Sequence, residues 1–395
     1  MWYPYVAYVY NTRMRDSRRG FLKRTMGPLW TGAALLDQAM LRATAARAQA
    51  RTAVLPKLFD IQKVAPGVYG AIATPLPNLN CNAAIFENDK DLLIVDSHAR
   101  PSAVVALLQQ IRKEVSTKPV RYIVNSHFHW DHSEGNPAYR RLFPQAEIIT
   151  SDTTRKLLRE FGADRAAAQV EQASKMVPEY KKSLANATTA EEKAYWQFMV
   201  KDSIEFASEM KNYKPELPSI TIKSDLVMHY STHDLHLAFR GKGHTAGDVV
   251  VYCPQKKVIA TGDLLHSFAP FIADGYPRFW PQTLRAVSEF DFTHVIGGHG
   301  GVQDSKLRLY QMAAYIEDLT EEVAKLKRQG RAVTDVKKII DPGKLKSLSR
   351  DGYGDFLMDS IGKYRLIKPG TARAQILSEA LASNIEHVYD TIDKE

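Results

Sequence analysis

The sequence predicts an α/β fold with a helical insertion and a helical C-terminal extension. Apolar, strand-like runs alternate with a helical run between about residues 60 and 150, which is typical of an α/β arrangement. Strand-like runs return between about 218 and 300. Charged runs with helical apolar spacing fill about 152–213, and further helical runs follow within 306–395.

The strand-like and helical runs follow one another in a regular order. The first half is predicted to contain three strands, a helix and a fourth strand: VYGAIA, AAIF, LLIVDS, SAVVALLQQIRKEV and YIVNS. The second half is predicted to contain six strands: SITI, LVMHY, LHLAF, VVVYC, KVIATG and THVIG. Short apolar runs bounded by turn residues favour strands, whereas longer runs with few helix breakers favour helices.

Helices are predicted for the insertion and for most of the tail. The insertion contains three helical runs: TTRKLLREF, RAAAQVEQASKMV and AEEKAYWQFMVKDSIEFASEM. The tail is predicted to hold a long amphipathic helix that ends at Gly330, a loop over PGKLKSLSRDGYGDF, and a final helix over AQILSEALASNIEHVYDTI. The insertion is expected either to form a lid over a site or to pack on the sheets as an elaboration.

A cluster of metal-binding side chains follows the YIVNS strand. The segment NSHFHWDHSEGN, residues 125–136, contains His127, His129, Asp131 and His132 within six positions. Imidazole and carboxylate groups are the ligands that zinc and similar divalent cations prefer. His127 and His129 are two positions apart and would point the same way on an extended segment, so they can share one metal. Asp131 and His132 follow where a helix could begin, which indicates a second metal nearby.

Three further candidate ligands lie at the ends of apolar runs. His244 lies in GKGHTAGD, Asp263 in VIATGD and His299 in HVIGGHGG. Glycines surround all three, which allows the backbone to turn sharply and to approach a metal. Loops held by strand ends are a common place for functional side chains. The ordered series, rather than any single residue, predicts a binuclear centre.

These motifs resemble those of the metallo-β-lactamase superfamily of metallohydrolases. The resemblance rests on LLIVDS, HFHWDH, GHTAGD, ATGD and GGHG, and it spans roughly residues 60–305. It implies an αββα sandwich over residues 51–305, with the helical insertion at about 152–213 and the helical extension at 306–395. It also implies two Zn²⁺ ions per chain, with iron or manganese as alternatives. The residues matching the family's ligands to the first metal are His127, His129 and His244, those to the second are Asp131, His132 and His299, the bridging carboxylate is Asp263, and Asp96 orients the ligands.

The identity of residue 263 distinguishes branches of this superfamily. Branches that hydrolyse β-lactams usually carry cysteine or serine at that position, whereas Asp263 resembles the glyoxalase II, phosphodiesterase, lactonase and arylsulfatase-like branches. Diiron flavoproteins of the superfamily carry glutamate where this chain has His129, so the imidazole favours zinc. The chain shows no cluster of basic residues that matches a glutathione site.

The motifs therefore predict a binuclear zinc-dependent hydrolase. A metal-bound hydroxide would attack an ester, thioester, lactone, amide or phosphoester, because two cations lower the pKa of a shared water to about 7. Asp131 is the predicted catalytic residue, since it could hold a metal and also orient the nucleophile. A β-lactamase, a mononuclear iron thiol or persulfide dioxygenase, and a metal- or partner-binding protein without catalysis are the alternatives.

Residues 266–282, HSFAPFIADGYPRFWPQ, are predicted to form an ordered loop over the cleft. His266, Tyr276 and Arg278 are candidates for contacts with a small-molecule substrate. The alternative is that the aromatic residues belong to the core and that Arg278 is a surface residue. His98 and Arg100, just after Asp96, could face the site or lie in a solvated loop.

The first 50 residues are predicted to be a twin-arginine export signal. SRRGFLKR at 17–24 matches the pattern S-R-R-x-F-L-K, a mildly apolar run follows, and ATAARAQA offers small-residue cleavage sites. The signal could start at Met14 instead of Met1. Twin-arginine translocation machinery would export the protein folded, so the expected location is the periplasm or the exterior of a bacterium. A cysteine is absent from the cleavage region, and the apolar run is too short for a stable membrane anchor.

Charge and cysteine usage constrain other functions. The chain carries a net charge of +9, but residues 1–48 contain eight Arg or Lys and two Asp or Glu, so the remainder carries about +3. Nucleic-acid binding is therefore not expected. Cys81 and Cys253 are expected to be buried thiols, although a disulfide between them is an alternative. The oligomeric state stays open.

Overall fold

Two β-sheets packed face to face form the core of the protein, with helices on their outer faces. The computed structural model describes residues 57–76 and 80–393. Residues from Leu58 onward form one compact unit, which includes the helical insertion and the C-terminal helices. The predicted αββα sandwich is confirmed. The predicted export signal, residues 1–50, lies outside the described residues.

The first sheet has seven strands in the order β1 to β7. Strands β1 to β4 pair antiparallel, and β4 to β7 pair parallel. Parallel pairing brings the carboxyl ends of successive strands to the same edge of the sheet. The strands are Phe59–Ala65, Val68–Ala73, Ala83–Glu87, Leu92–Val95, Val120–Val124, Glu147–Ser151 and Ile220–Ile222.

The second sheet has five strands in the order β12-β11-β10-β9-β8. Only the pair β11–β12 is parallel, and the other neighbours are antiparallel. The strands β8 to β12 are Asp225–His229, Asp234–Phe239, Val249–Cys253, Val258–His266 and His294–His299.

Alternating side chains explain why the first sheet is apolar on both faces. In β3, Ala84 and Phe86 pack between the sheets against the second sheet, while Ile85 points to the outer face. Leu107 of the first helix packs on that outer face. All successive residues of this strand can be apolar, because the second sheet covers one of its faces and helix α1 covers the other.

Eleven α-helices surround the sheets in the described part of the chain. Helix α1 covers the outer face of the first sheet, α2 lies within the metal-binding motif and α3 follows it, α4 and α5 form the insertion, and α6 to α11 follow the loop after β11. The helices are Pro101–Glu114, Trp130–Ser133, Asn136–Leu142, Asp152–Ala185, Ala190–Met210, Trp280–Ser288, Leu307–Arg328, Val333–Ile339, Lys346–Ser349, Tyr353–Tyr364 and Arg373–Thr391.

The insertion is fastened to the sandwich by a buried ion pair. Arg100, at the start of α1, lies 2.6 Å from Asp202 of α5, and both side chains are nearly inaccessible to solvent. Phe206 of α5 also packs edge-on against Trp130, which precedes Asp131. These contacts attach the insertion to the sandwich beside the metal-binding motif.

Backbone hydrogen bonds join the two sheets at the edge where the motif lies. The N–H of Val249, in β10, donates to the carbonyl of Ser126, which follows β5, at 2.8 Å. The N–H of Asn82, which precedes β3, donates to the carbonyl of Gly298 in β12 at 2.7 Å. This edge of the sandwich is therefore closed by main-chain contacts.

The predicted helices and strands are largely found, with three corrections. Strands β1 and β6 were not predicted, and the first two insertion runs form one helix, α4. The predicted loop over PGKLKSLSRDGYGDF is wrong in part, because it contains α9, a 3₁₀ turn and the start of α10. Burial of Leu345, Leu348 and Tyr353 stabilises these short helices, which local sequence alone does not indicate. Gly330, with φ of +74°, follows the end of α7 as predicted.

Within the described residues, the structure has no helix that is both long and apolar enough to cross a membrane.

Candidate metal centre

All seven predicted ligands lie together in a buried pocket at one edge of the sandwich. Their donor atoms form two adjacent groups, within each of which the atoms are no more than 4.8 Å apart. The first group contains His127, His129, His244 and Asp263, and the second contains Asp131, His132 and His299. A third group, Cys81, Asp96 and His132, lies behind the second.

The local fold explains how one short segment serves both groups. Residues 126–128 form a bend after β5, and His129, which precedes helix α2, is extended, with φ of −65° and ψ of 151°. Asp131 and His132 lie on that helix and turn toward the second group. The predicted start of a helix at this point is therefore found.

Asp263, in β11, lies between the two groups. Its Oδ1 is 3.2 Å from Nε2 of His132, and its Oδ2 is 3.5 Å from Nε2 of His244 and 3.4 Å from Nε2 of His299. Gly298 in β12 makes this close approach possible, because a Cβ on that residue would lie 1.9 Å from Oδ1 of Asp263. One carboxylate therefore faces ligands from both groups.

The donor atoms fit divalent cations. Nε2 of His127 is buried and has no hydrogen-bond partner among the described residues, and the buried Nε2 of His132 and Oδ1 of Asp263 face each other at 3.2 Å without hydrogen-bond geometry. Nε2 of His244 lies only 2.9 Å from Nδ1 of His129, a separation at which two ring nitrogens need a shared proton or cation between them. Buried polar atoms left without partners are costly, so cations bound here would stabilise the pocket.

Electrostatics divide the four most buried of the ligand histidines into two pairs. Burial, together with neighbouring histidines, holds the pKa of His127 and that of His244 well below 6.5. Burial also disfavours charge on His132 and His299, but the carboxylates of Asp263 and Asp131 outweigh it and raise their pKa values, that of His299 to about 9. The second group thus attracts positive charge, which a bound metal would supply.

Asp96 holds two of the ligand-bearing segments in place. Its Oδ2 lies 2.8 Å from Nδ1 of His132, and its Oδ1 accepts the N–H of Ser126 at 2.7 Å. The hydroxyl of Ser126 donates to Oδ2 of Asp96 and lies 2.9 Å from Nδ1 of His127. The residue predicted to orient the ligands therefore contacts one ligand directly and another through Ser126.

Asp274 and Arg165 also reach the pocket, although the sequence did not single them out. Oδ2 of Asp274 lies 2.9 Å from Nε2 of His129, and Nη2 of Arg165 donates to the same oxygen at 2.6 Å. Burial favours a raised pKa for Asp274, but the hydrogen bond from His129 and the charges of His129 and Arg165 hold it well below 3.8. Asp274 is the only acidic residue in 266–282, and metal-bound histidines usually need such a partner. That requirement could have identified Asp274.

The three predicted substrate contacts are placed very differently. His266, at the end of β11, is buried, and its Nε2 lies 3.3 Å from Oδ2 of Asp263. Tyr276 supports the neighbouring turn, because its N–H donates to the carbonyl of Gly243 at 2.8 Å. Arg278 is exposed and lines a surface groove of about 440 Å³ with residues of α7, not the metal-binding pocket.

His98 and Arg100 are both buried rather than solvated. Nδ1 of His98 lies 3.2 Å from the carbonyl oxygen of Cys81, and Arg100 is paired with Asp202. Cys81 and Cys253 are buried free thiols, so the alternative of a disulfide is wrong.

The fold and the pocket define a class of protein: an αββα sandwich with two groups of histidine and aspartate side chains that could hold metal at one edge. Residues 76–291 match the model of the metallo-beta-lactamase superfamily, and the chain belongs to that superfamily. Among solved structures, the chain is similar to a metallo-beta-lactamase from Pontibacter korlensis, with 18% identity and a TM-score of 0.47. The match covers 65% of this chain and 98% of that one. The superfamily and the metal-capable groups suggest a metallohydrolase.

Proposed function

We propose that the protein is a binuclear zinc-dependent hydrolase of an ester, thioester, lactone, amide or phosphoester. The observation that carries the proposal is the position of Asp263, whose two carboxylate oxygens face ligands from both groups. A carboxylate in that position can bridge two cations. The His and Asp donor set, which leaves out thiolates, suits zinc, although iron and manganese accept the same ligands.

Two zinc ions bound here would lower the pKa of a shared water and polarise the oxygen of the bond under attack. The side chains of the protein would bind the ions and orient the ligands. Asp263, Asp131 and the five histidines would hold the cations, and Asp96, Ser126 and Asp274 would fix the directions of the histidine rings. A pocket assembled in this way needs little reorganisation when a substrate enters.

Asp131 is suited to a catalytic role because it is a buried carboxylate. Burial favours a raised pKa, but the charges and hydrogen bonds of His132 and His299 hold it far below its ordinary value. Its Oδ2 lies 3.2 Å from Nε2 of His299. An ionised oxygen at this position can accept a hydrogen bond from an attacking water and orient it toward the substrate.

Phe271 is partly exposed beside the metal-binding side chains and favours a substrate with an apolar part. Its ring centroid lies 5.9 Å from that of His129, whereas Trp280, 5.4 Å from His244, is fully buried behind the ligands. His266 faces the same space and can donate a hydrogen bond to a substrate oxygen. The twin-arginine pattern at 17–24 supports a periplasmic or secreted location.

Metal analysis of the purified protein tests the proposal, with Asp263→Ala as the variant and Asp304→Ala as the control. Asp304 is 86% exposed in its side chain and lies outside both metal groups. We expect about two zinc per chain in wild type and in Asp304→Ala, and at most one in Asp263→Ala, with loss of ester or lactone hydrolysis.

Other results would contradict the proposal in distinct ways. About one iron per chain together with oxygen consumption would identify a dioxygenase. Hydrolysis confined to penicillins and carbapenems would identify a β-lactamase. Two zinc ions without turnover of any ester, thioester, lactone, amide or phosphoester would indicate a binding protein.

A further inference from the structure

We propose that the helical insertion sets the metal affinity of the first group, with Arg165 of α4 as a positioning residue that acts on His129 through Asp274. This inference rests on the binuclear site proposed above. It assigns a role to a contact between three parts of the chain that are distant in sequence: the motif after β5, the insertion, and the loop after β11.

The geometry of the contact is that of a relay. Asp274 accepts from two sides at one oxygen, since Nε2 of His129 lies 2.9 Å and Nη2 of Arg165 lies 2.6 Å from its Oδ2. The Arg165 guanidinium also lies over the ring of Phe128, 4.7 Å from the centroid. The Arg165 guanidinium is therefore held between the Asp274 carboxylate and the Phe128 ring.

This contact determines which nitrogen of His129 faces the metal pocket. When Nε2 carries the proton that Asp274 accepts, Nδ1 is left as the lone-pair donor. That Nδ1 is the atom 2.9 Å from Nε2 of His244 in the first group. Fixing the ring and its tautomer improves metal binding, and loss of such a partner typically weakens it by about 10- to 100-fold.

The role of Arg165 differs from that of the ion pair that fastens the insertion. Arg100 and Asp202 attach α5 to α1 through a pair whose side chains are nearly inaccessible to solvent. Arg165 and Asp274 each keep about 30% of their side-chain surface exposed, whereas Arg100 and Asp202 are nearly inaccessible, so breaking the Arg165–Asp274 pair should cost less folding free energy. Their effect should therefore appear in metal binding rather than in stability.

The experiment compares cobalt and zinc binding to the full-length protein in four variants. Asp274→Asn and Arg165→Gln disrupt the relay, and Arg165→Lys keeps the positive charge at residue 165. Arg285→Gln is the control, because Arg285 makes a pair with Glu317 at the same 2.6 Å distance, although its side chains are more exposed. The readouts are the visible spectrum of the cobalt protein, the metal retained during a chelator titration, and the thermal unfolding temperature.

We expect Arg165→Gln and Asp274→Asn to weaken one of the two bound equivalents by about 10-fold or more and to alter its cobalt spectrum. Arg165→Lys should recover part of that loss, and Arg285→Gln should match wild type. Unchanged retention and spectra in both relay variants would overturn the inference. Equal loss of both equivalents together with a lowered unfolding temperature would also overturn it, because that result reports a structural role. Wild-type protein that binds no metal would instead refute the proposed function.

Discussion

Asp96 and His132 are joined by a hydrogen bond of 2.8 Å at the base of the metal pocket. Asp96 adopts a φ of +69°, a conformation that aspartate tolerates better than most residues but that still costs free energy. In this conformation, Oδ2 of Asp96 lies next to Nδ1 of His132, and Oδ1 accepts the N–H of Ser126. A single carboxylate therefore links strand β4 to the segment that carries four of the ligands.

Asp96→Asn should weaken metal binding without unfolding the protein. Asparagine also tolerates positive φ, but it lacks the charge that favours a proton on Nδ1 of His132. We expect about 10- to 100-fold lower metal affinity or turnover, measured by competition with a chromophoric chelator and by hydrolysis assays. Asp89→Asn, at an exposed carboxylate bonded to Ser231, is the control. Wild-type affinity in Asp96→Asn would contradict the orienting role.

His266→Asn should raise KM and leave the metal content at about two per chain. The Nε2 of His266 is buried without a hydrogen-bond partner in the described part of the chain and lies 3.3 Å from Oδ2 of Asp263. Losing one hydrogen bond to substrate should cost about 2- to 13-fold in kcat/KM, because a neutral hydrogen bond contributes roughly 0.5–1.5 kcal/mol. Steady-state kinetics measure the loss of substrate binding, and metal analysis shows whether His266 also holds a metal. A fall in metal content would identify His266 as a ligand instead.

Asp202→Ala should destabilise the protein by about 3–5 kcal/mol, because it leaves the buried Arg100 charge without its partner. Urea unfolding measures the loss. Replacing both residues, with Arg100→Met and Asp202→Leu, should recover much of the stability. Glu317→Ala breaks a half-exposed pair with Arg285 and should cost no more than about 1 kcal/mol. Equal effects of the two single changes would refute this account.

His98 should make the stability of the metal-free protein fall with acid. Burial lowers its pKa to about 3, so between pH 6.5 and 3 the unfolded chain binds a proton that the folded chain does not. That difference removes up to about 1.4 kcal/mol per pH unit as the pH falls. His98→Asn tolerates the φ of +70° and should show a shallower slope in urea unfolding between pH 6.5 and 4. Parallel slopes would contradict the prediction.

The sequence predicted the metal pocket because its ligands follow strand ends in a fixed order. His127 to His132 lie within six consecutive residues after β5, His244 lies between β9 and β10, Asp263 lies within β11, and His299 is the last residue of β12. Strands β1 and β6 escaped prediction because their apolar residues are few and are mixed with polar ones. Their pairing with stronger neighbours determines them instead.

The residues that support the ligands were harder to predict. Arg165 lies in a charged helix with many similar residues, and only the packing of α4 against the loop after β11 brings it to Asp274. Arg278 was chosen as a polar residue near a candidate ligand, but the turn before α6 directs it toward α7. Such contacts depend on how distant helices pack, and no local pattern encodes them.

The main-chain hydrogen bonds between the two sheets, Val249 to Ser126 and Asn82 to Gly298, have a consequence for cation uptake. Both sheets contribute ligands, and His127 and Asp263 are 136 positions apart in the chain. Because backbone contacts already close that edge, we expect the seven ligands to be positioned before any ion binds. Zinc-finger peptides fold only as they bind their ion. This sandwich would instead release and regain its cations while staying folded, so exchange of one metal for another would follow the supply around it.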